Sequence, residues 1–184
     1  MLRVALVGRN KESKTWAGNW LKDKYHFKHA RLGDPVMQFV KHVHWYMGAY
    51  RGKMLGWEKR MDIYDFIYKM EPDVWVKNIE HRLPLMQKDV VVSDVRYISE
   101  LEYLRNNLGF TVVRVYAPMV KAPRIASVMG RESSPGTLYL METYGKDFTE
   151  RIGSDYSITF DPKNREPAKK AIEELVSILR KFDK

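Results

Sequence analysis

Residues 2–16 read LRVALVGRNKESKTW, and the fold turns on how they are understood. Residues 2–7 form a short apolar run that stops at Gly8, as a buried strand does when it enters a turn. From Lys14 to about Asp23 the apolar residues Trp16, Ala17, Trp20 and Leu21 fall at helical spacing, giving the order strand, loop, helix. Set against the phosphate-loop pattern Gly-x-x-x-x-Gly-Lys-[Ser/Thr], the stretch matches at Gly8, Lys14 and Thr15, with Ser13 in place of the second glycine. In such a loop, backbone N–H groups wrap phosphate oxygens at a helix N-terminus, the lysine neutralises charge, and the hydroxyl ligates Mg²⁺. Serine is a small polar substitute that tolerates many loop conformations, so Ser13→Gly is expected to preserve or improve nucleotide affinity. The other reading is a surface turn with an incidental Lys-Thr.

Further along, DVVVSDV (89–95) is a second continuous apolar strand of the kind found inside a parallel sheet. SELEYLRNNLG (99–109) predicts a helix capped by Ser99 and stopped by Gly109, and FTVVRVYA (110–117) the next strand. DYSITF (155–160) predicts a last strand, followed by an amphipathic helix at 166–182 with Ala168, Ile172, Leu175, Val176 and Leu179 on one face. Strands alternating with helices imply an α/β fold with a parallel sheet and right-handed crossovers. Two stretches interrupt the alternation: 34–86, with helical patterns rich in aromatic and basic residues, and 117–150, with Arg124, Arg131 and GRESSPG. Each is too short for a core of its own, so a single domain over 1–184 is expected.

The chain has 184 residues, 45% of them hydrophobic, and a net charge of +9, which favours anionic partners, nucleotide or nucleic acid. With no cysteine, disulfides, thiolate catalysis and cysteine metal sites are excluded. Its apolar runs fall well short of the roughly 18 residues a membrane span needs. No membrane association and a cytoplasmic location are therefore expected, in a prokaryotic cell or a virus-infected host. The histidines of HFKH (26–29) and HVH (42–44) lack a third ligand at zinc spacing and are expected to be core or surface residues.

Asp94 ends a buried strand, where a carboxylate must cap a helix, pair with a cation or serve a metal. Arg96 follows two residues later, able to grip a phosphate dianion with its planar fork, or simply to pair with Asp94. Together, EPDVWVKNIEHRL (71–83) and DVVVSDVRYISELEYLRNNLGFTVVRVYAP (89–118) resemble the deoxynucleoside monophosphate kinases of tailed bacteriophages. The likeness runs in order over residues 2–160 and is strongest from 71 to 118.

That resemblance implies a P-loop NTPase fold of the nucleoside monophosphate kinase type, with a five-stranded parallel sheet flanked by helices. It implies transfer of the γ-phosphoryl group of ATP to a deoxynucleoside 5'-monophosphate, with Mg²⁺. ATP would be held by Gly8, Arg9, Asn10, Lys11, Glu12, Ser13, Lys14 and Thr15, with Thr15 and Asp94 toward the metal. Arg96 would bind the acceptor phosphate, with Glu100 orienting it. A monophosphate-binding insertion at about 31–86 would offer Arg31, Lys41, Arg60 and Trp75, the last for stacking or for packing. A lid at about 117–150 would bring Arg124 and Arg131 to the transferring phosphoryl group and Glu150 to the substrate.

The chain departs from the family pattern in DFTE (147–150), where a His-x-Ser-Glu is common, and at Met37, where a lysine often follows an Asp-Pro like Asp34-Pro35. Thymidylate and phosphomevalonate kinases use similar parts and remain alternative readings. So does a nucleic-acid-binding protein on a decayed kinase scaffold, and a homodimer is left open.

Overall fold

The computed structural model describes residues 1–8, 11–46, 57–116 and 153–182; the side chains of 11, 12, 44, 46 and 57–61 lie outside the description. Five strands, β1 (Arg3–Val7), β2 (Lys28–Ala30), β3 (Val90–Val92), β4 (Thr111–Tyr116) and β5 (Tyr156–Thr159), form one sheet in the order β2-β3-β1-β4-β5. Every pairing is parallel. The helices are α1 (Lys11–Tyr25), α2 (Asp34–Tyr46), α3 (Trp57–Met70), α4 (Val74–Met86), α5 (Ile98–Asn106) and α6 (Glu166–Phe182).

A strand buried on both faces must be apolar along its whole length, which is why residues 4–7 and 90–92 carry no polar side chain. Side chains alternate across the sheet. Ala5, Val7, Val90, Val92 and Val112 meet residues of α2, α3, α4 and α5, while Val4, Leu6, Val91, Val113 and Val115 meet α1 and α6. The result is a helix–sheet–helix sandwich with a core on each face of the sheet. On α6, Ala168, Ile172, Leu175 and Val176 are buried as the amphipathic pattern requires, and Leu179 packs at the edge.

Two local expectations are corrected. The helix after β3 begins at Ile98 with Tyr97 as the cap residue, so Ser99 lies inside it; its hydroxyl is paired with Tyr68 Oη at 2.8 Å. Glu100, three residues past the cap, accepts the Tyr97 N–H instead. Helix α1 begins at Lys11, three residues earlier than the apolar spacing implied. Gly109 does follow α5 in the left-handed conformation, at φ 65°.

In a parallel sheet all strand ends of one kind lie along the same edge, so the loops after β1, β2, β3 and β4 share one rim. Ala5 pairs with Val92, and Val92 with Ala30. Gly8, Asp94 and Arg31 therefore follow neighbouring strands at that rim.

Candidate active site

Gly8 has φ 143°, and a Cβ there would sit 2.3 Å from the carbonyl oxygen of Val115 on β4. No other residue fits, both for the dihedral and for the contact. The chain then enters α1, placing fully buried Ser13 and half-buried Lys14 and Thr15 within its first turns. The first turn of a helix carries N–H groups without intrahelical acceptors and the positive end of the helix dipole. Lys14 folds back so that its ammonium donates to the Gly8 carbonyl, joining the two ends of the loop. Ser13 thus occupies a helical position, where it needs no positive φ. Arg9 and Asn10 lie outside the described residues, as do the side chains of Lys11 and Glu12.

At the tip of β3, Asp94 accepts the backbone N–H of Leu32 on one oxygen (2.8 Å) and that of Gly33 on the other (3.0 Å). Burial pushes its carboxyl pKa up, opposed by these two donors and by the Arg96 charge, while Asp34 nearby pushes it further up. Behind Asp94, His29 on β2 bridges α1 and β3. Its Nδ1–H donates to Asn19 Oδ1 at 3.1 Å, and Nε2 accepts from the Ser93 hydroxyl at 2.6 Å. Desolvation, with Arg31 next, lowers its pKa to about 4, so the ring is neutral near pH 7 and suits one donor and one acceptor.

Arg96 lies with its guanidinium carbon 4.5 Å from the centroid of the Tyr64 ring. Glu100, fully buried, accepts the Arg96 and Tyr97 N–H groups on Oε2 (2.8 and 3.0 Å) and the Tyr64 hydroxyl on Oε1 (2.5 Å). Desolvation raises its pKa to about 7, against the pull of those donors. Trp75 is 3% exposed and stacks on Tyr64, centroids 4.5 Å apart. Its indole therefore packs behind Tyr64 within the helical layer.

Arg31 is exposed at the end of β2, where its N–H donates to Asp34 at 3.3 Å, and Lys41 is exposed on α2. Arg60 belongs to α3, its side chain outside the description; Arg124, Arg131, Glu150 and the whole lid stretch lie outside the described residues. Arg31, Asp94 and Arg96 thus follow the paired strands β2 and β3, with Glu100 bound to the Arg96 N–H, and Lys14 and Thr15 follow β1, which pairs with β3. Sequence reasoning passed over Tyr64 and gave His29 no more than a core or surface place. Tyr64 sits among Ile63, Ile67 and Tyr68, where a tyrosine looks like packing alone; His29 follows a polar Lys28 in a strand too short to show periodicity.

Among the described residues no helix is long and apolar enough to cross a membrane, and no three His, Asp or Glu side chains gather as a metal cage. No protein-family model matches the sequence, and no curated protein matches it. Solved structures do. The chain superposes on a shikimate kinase from Bacteroides thetaiotaomicron with TM-score 0.54 and 14% identity, over 97% of this chain and 98% of that one. A gluconokinase from Sinorhizobium meliloti 1021 gives TM-score 0.52 and 17% identity, over 100% and 98%. The five-stranded parallel sheet flanked by helices is the fold that the chain shares with these two proteins.

Proposed function

We propose that the chain is a P-loop phosphotransferase that moves the γ-phosphoryl group of ATP to a deoxynucleoside 5'-monophosphate. The observation that carries this reading is the placement of two basic side chains after neighbouring strands: Lys14, folded onto Gly8 after β1, and Arg96, just beyond β3. Phosphoryl transfer requires a donor and an acceptor phosphate side by side, with cations on the oxygens that gain charge. In this reading Lys14 leaves the Gly8 carbonyl for the β/γ oxygens of ATP, and Arg96 takes the acceptor phosphate. The stretch 31–86 surrounds the acceptor, with Arg31, Lys41 and Arg60 available to it. Residues 117–150 form a lid whose Arg124 and Arg131 reach the transferring group, all within a single domain.

Thr15 and Asp94 are hard oxygen donors suited to Mg²⁺, which keeps water and phosphate in the rest of its shell. Asp94 fits that task because each oxygen gives one lone pair to a backbone N–H and retains another. Bound there, Mg²⁺ would supply neutralisation of phosphate charge. A second reading, a small hydroxy acid as acceptor, is favoured by the two structural neighbours, a shikimate kinase and a gluconokinase.

The deciding experiment is a coupled ADP-release assay with Mg-ATP. The acceptors to try are the four common deoxynucleoside monophosphates, phosphomevalonate, shikimate and gluconate. Turnover with a deoxynucleotide is expected. Turnover with an acid alone supports the second reading, and no turnover together with salt-sensitive DNA binding overturns both in favour of a nucleic-acid-binding role.

A further inference from the structure

We propose that Tyr64 is the positioning residue that aims Arg96 at the acceptor phosphate; this rests on the reading of Arg96 given above. Arg96 is held at both ends. Its backbone N–H is bound by Glu100, and the hydroxyl of Tyr64 occupies the other oxygen of that carboxylate. Its guanidinium lies over the ring of the same tyrosine, 4.5 Å from the centroid. Tyr64 itself is 2% exposed and braced by Trp75, with Tyr97 parallel to it at 6.4 Å. The platform is therefore rigid, and it belongs to α3, more than thirty residues away in sequence.

A guanidinium can serve both partners, since its charge is attracted to an aromatic ring beneath it while its N–H groups donate to a phosphate dianion. A flexible arginine loses rotamer freedom when it closes on a phosphate; one already resting on a ring has taken that loss before binding. Glu100 adds a lock, since the group that fixes the Arg96 backbone also fixes the tyrosine beneath its side chain.

The test is a double-variant cycle in steady-state kinetics, with the deoxynucleoside monophosphate that the enzyme turns over as the varied substrate. Tyr64→Leu should raise the acceptor KM about ten-fold, the size of a partly desolvated cation–π contact, while the KM for ATP stays within about two-fold. Tyr64→Leu combined with Arg96→Ala should be no worse than Arg96→Ala alone. Tyr64→Phe keeps the ring and its volume, and carries the test if Tyr64→Leu does not fold. It should raise the acceptor KM about three-fold in the Arg96 background and leave it unchanged in Arg96→Ala, on the scale of one lost hydrogen bond. An unchanged acceptor KM in Arg96→Ala overturns the reading of the acceptor site, and this inference with it. A raised KM in Arg96→Ala with no effect of either Tyr64 variant, or with Tyr64→Phe costing the same in both backgrounds, overturns the role of Tyr64 alone.

Discussion

Gly8 and Lys14 form the donor end of the proposed site, joined by the hydrogen bond from the Lys14 ammonium to the Gly8 carbonyl, and they are expected to fail in different ways when altered. Lys14→Ala removes a half-buried cation that donates to the Gly8 carbonyl, so phosphoryl transfer should be abolished while the melting temperature changes by no more than a few degrees. Parallel kinetic and thermal measurements check it; retained activity would place the ATP site elsewhere. Gly8→Ala should instead unfold or severely weaken the protein, by about 2 kcal/mol or more, because the new Cβ meets the Val115 carbonyl at a φ that alanine resists. Ser13→Gly separates the two concerns. Nucleotide affinity should hold or improve, and stability should fall by about 0.5 kcal/mol because the position is helical. A calorimetric titration with ATP and a urea melt would read both, and a large loss of affinity would make the serine hydroxyl itself a ligand.

Among the elements, the β2–α2 connection depends on a carboxylate from β3. Asp94 holds the N–H groups of Leu32 and Gly33, which lie just ahead of α2 and carry no strand or helix hydrogen bond of their own. Asp94→Ala should therefore speed hydrogen exchange at these two amides by about 10- to 100-fold, the scale of hydrogen bonds to a charged acceptor. Amides in the centre of β1 should be unaffected, and uniform acceleration across the sheet would argue against a local latch. The same elements show why the sequence was only partly legible. DVVVSDV announces a buried strand because three consecutive valines have no other good place, whereas β2 is Lys28, His29 and Ala30 and becomes a strand only through pairing with Val90–Val92. The cap of α5 was misplaced by one side chain's worth of chemistry: serine is the better capping residue by propensity, but Glu100 supplies the acceptor and shifts the boundary to Tyr97. Lys14, Asp94 and Arg96 stand out in sequence because each breaks an apolar pattern at a strand end or helix start. Tyr64 does not, since its meaning comes from Arg96 and Glu100, which only the folded chain brings to it.

For the molecule as a whole, the buried Glu100 and the half-buried His29 pull the pH dependence of stability in opposite directions. Glu100 titrates near 7 in the folded chain, above its ordinary 4.5, so the folded state binds the proton more tightly. Its contribution is fully present below about pH 4.5 and is lost as pH rises through 7, a change of about 3 kcal/mol. His29 titrates near 4 against an ordinary 6.5, so the unfolded state binds the proton more tightly. Its contribution is present above about pH 6.5 and is lost as pH falls toward 4. Relative to wild type, Glu100→Gln should therefore gain stability as pH rises from about 4.5 to 7, and His29→Asn should lose it as pH rises from about 4 to 6.5. Urea denaturation of the three proteins at half-unit pH steps checks both signs; parallel profiles would mean that neither group titrates as its surroundings dictate.

Trp16 follows Thr15 directly on α1, stacked on Trp20 at 6.1 Å, against Phe160 at 5.0 Å, and with Arg165 5.8 Å from its ring. The helix proposed to bind the ATP phosphates therefore carries its own optical reporter. Indole emission responds to nearby charge and to ring–ring geometry, so nucleotide binding at the head of α1 should change the fluorescence. Titrating ATP against this emission would test the proposed donor site in the unlabelled protein, without turnover and before any acceptor is known.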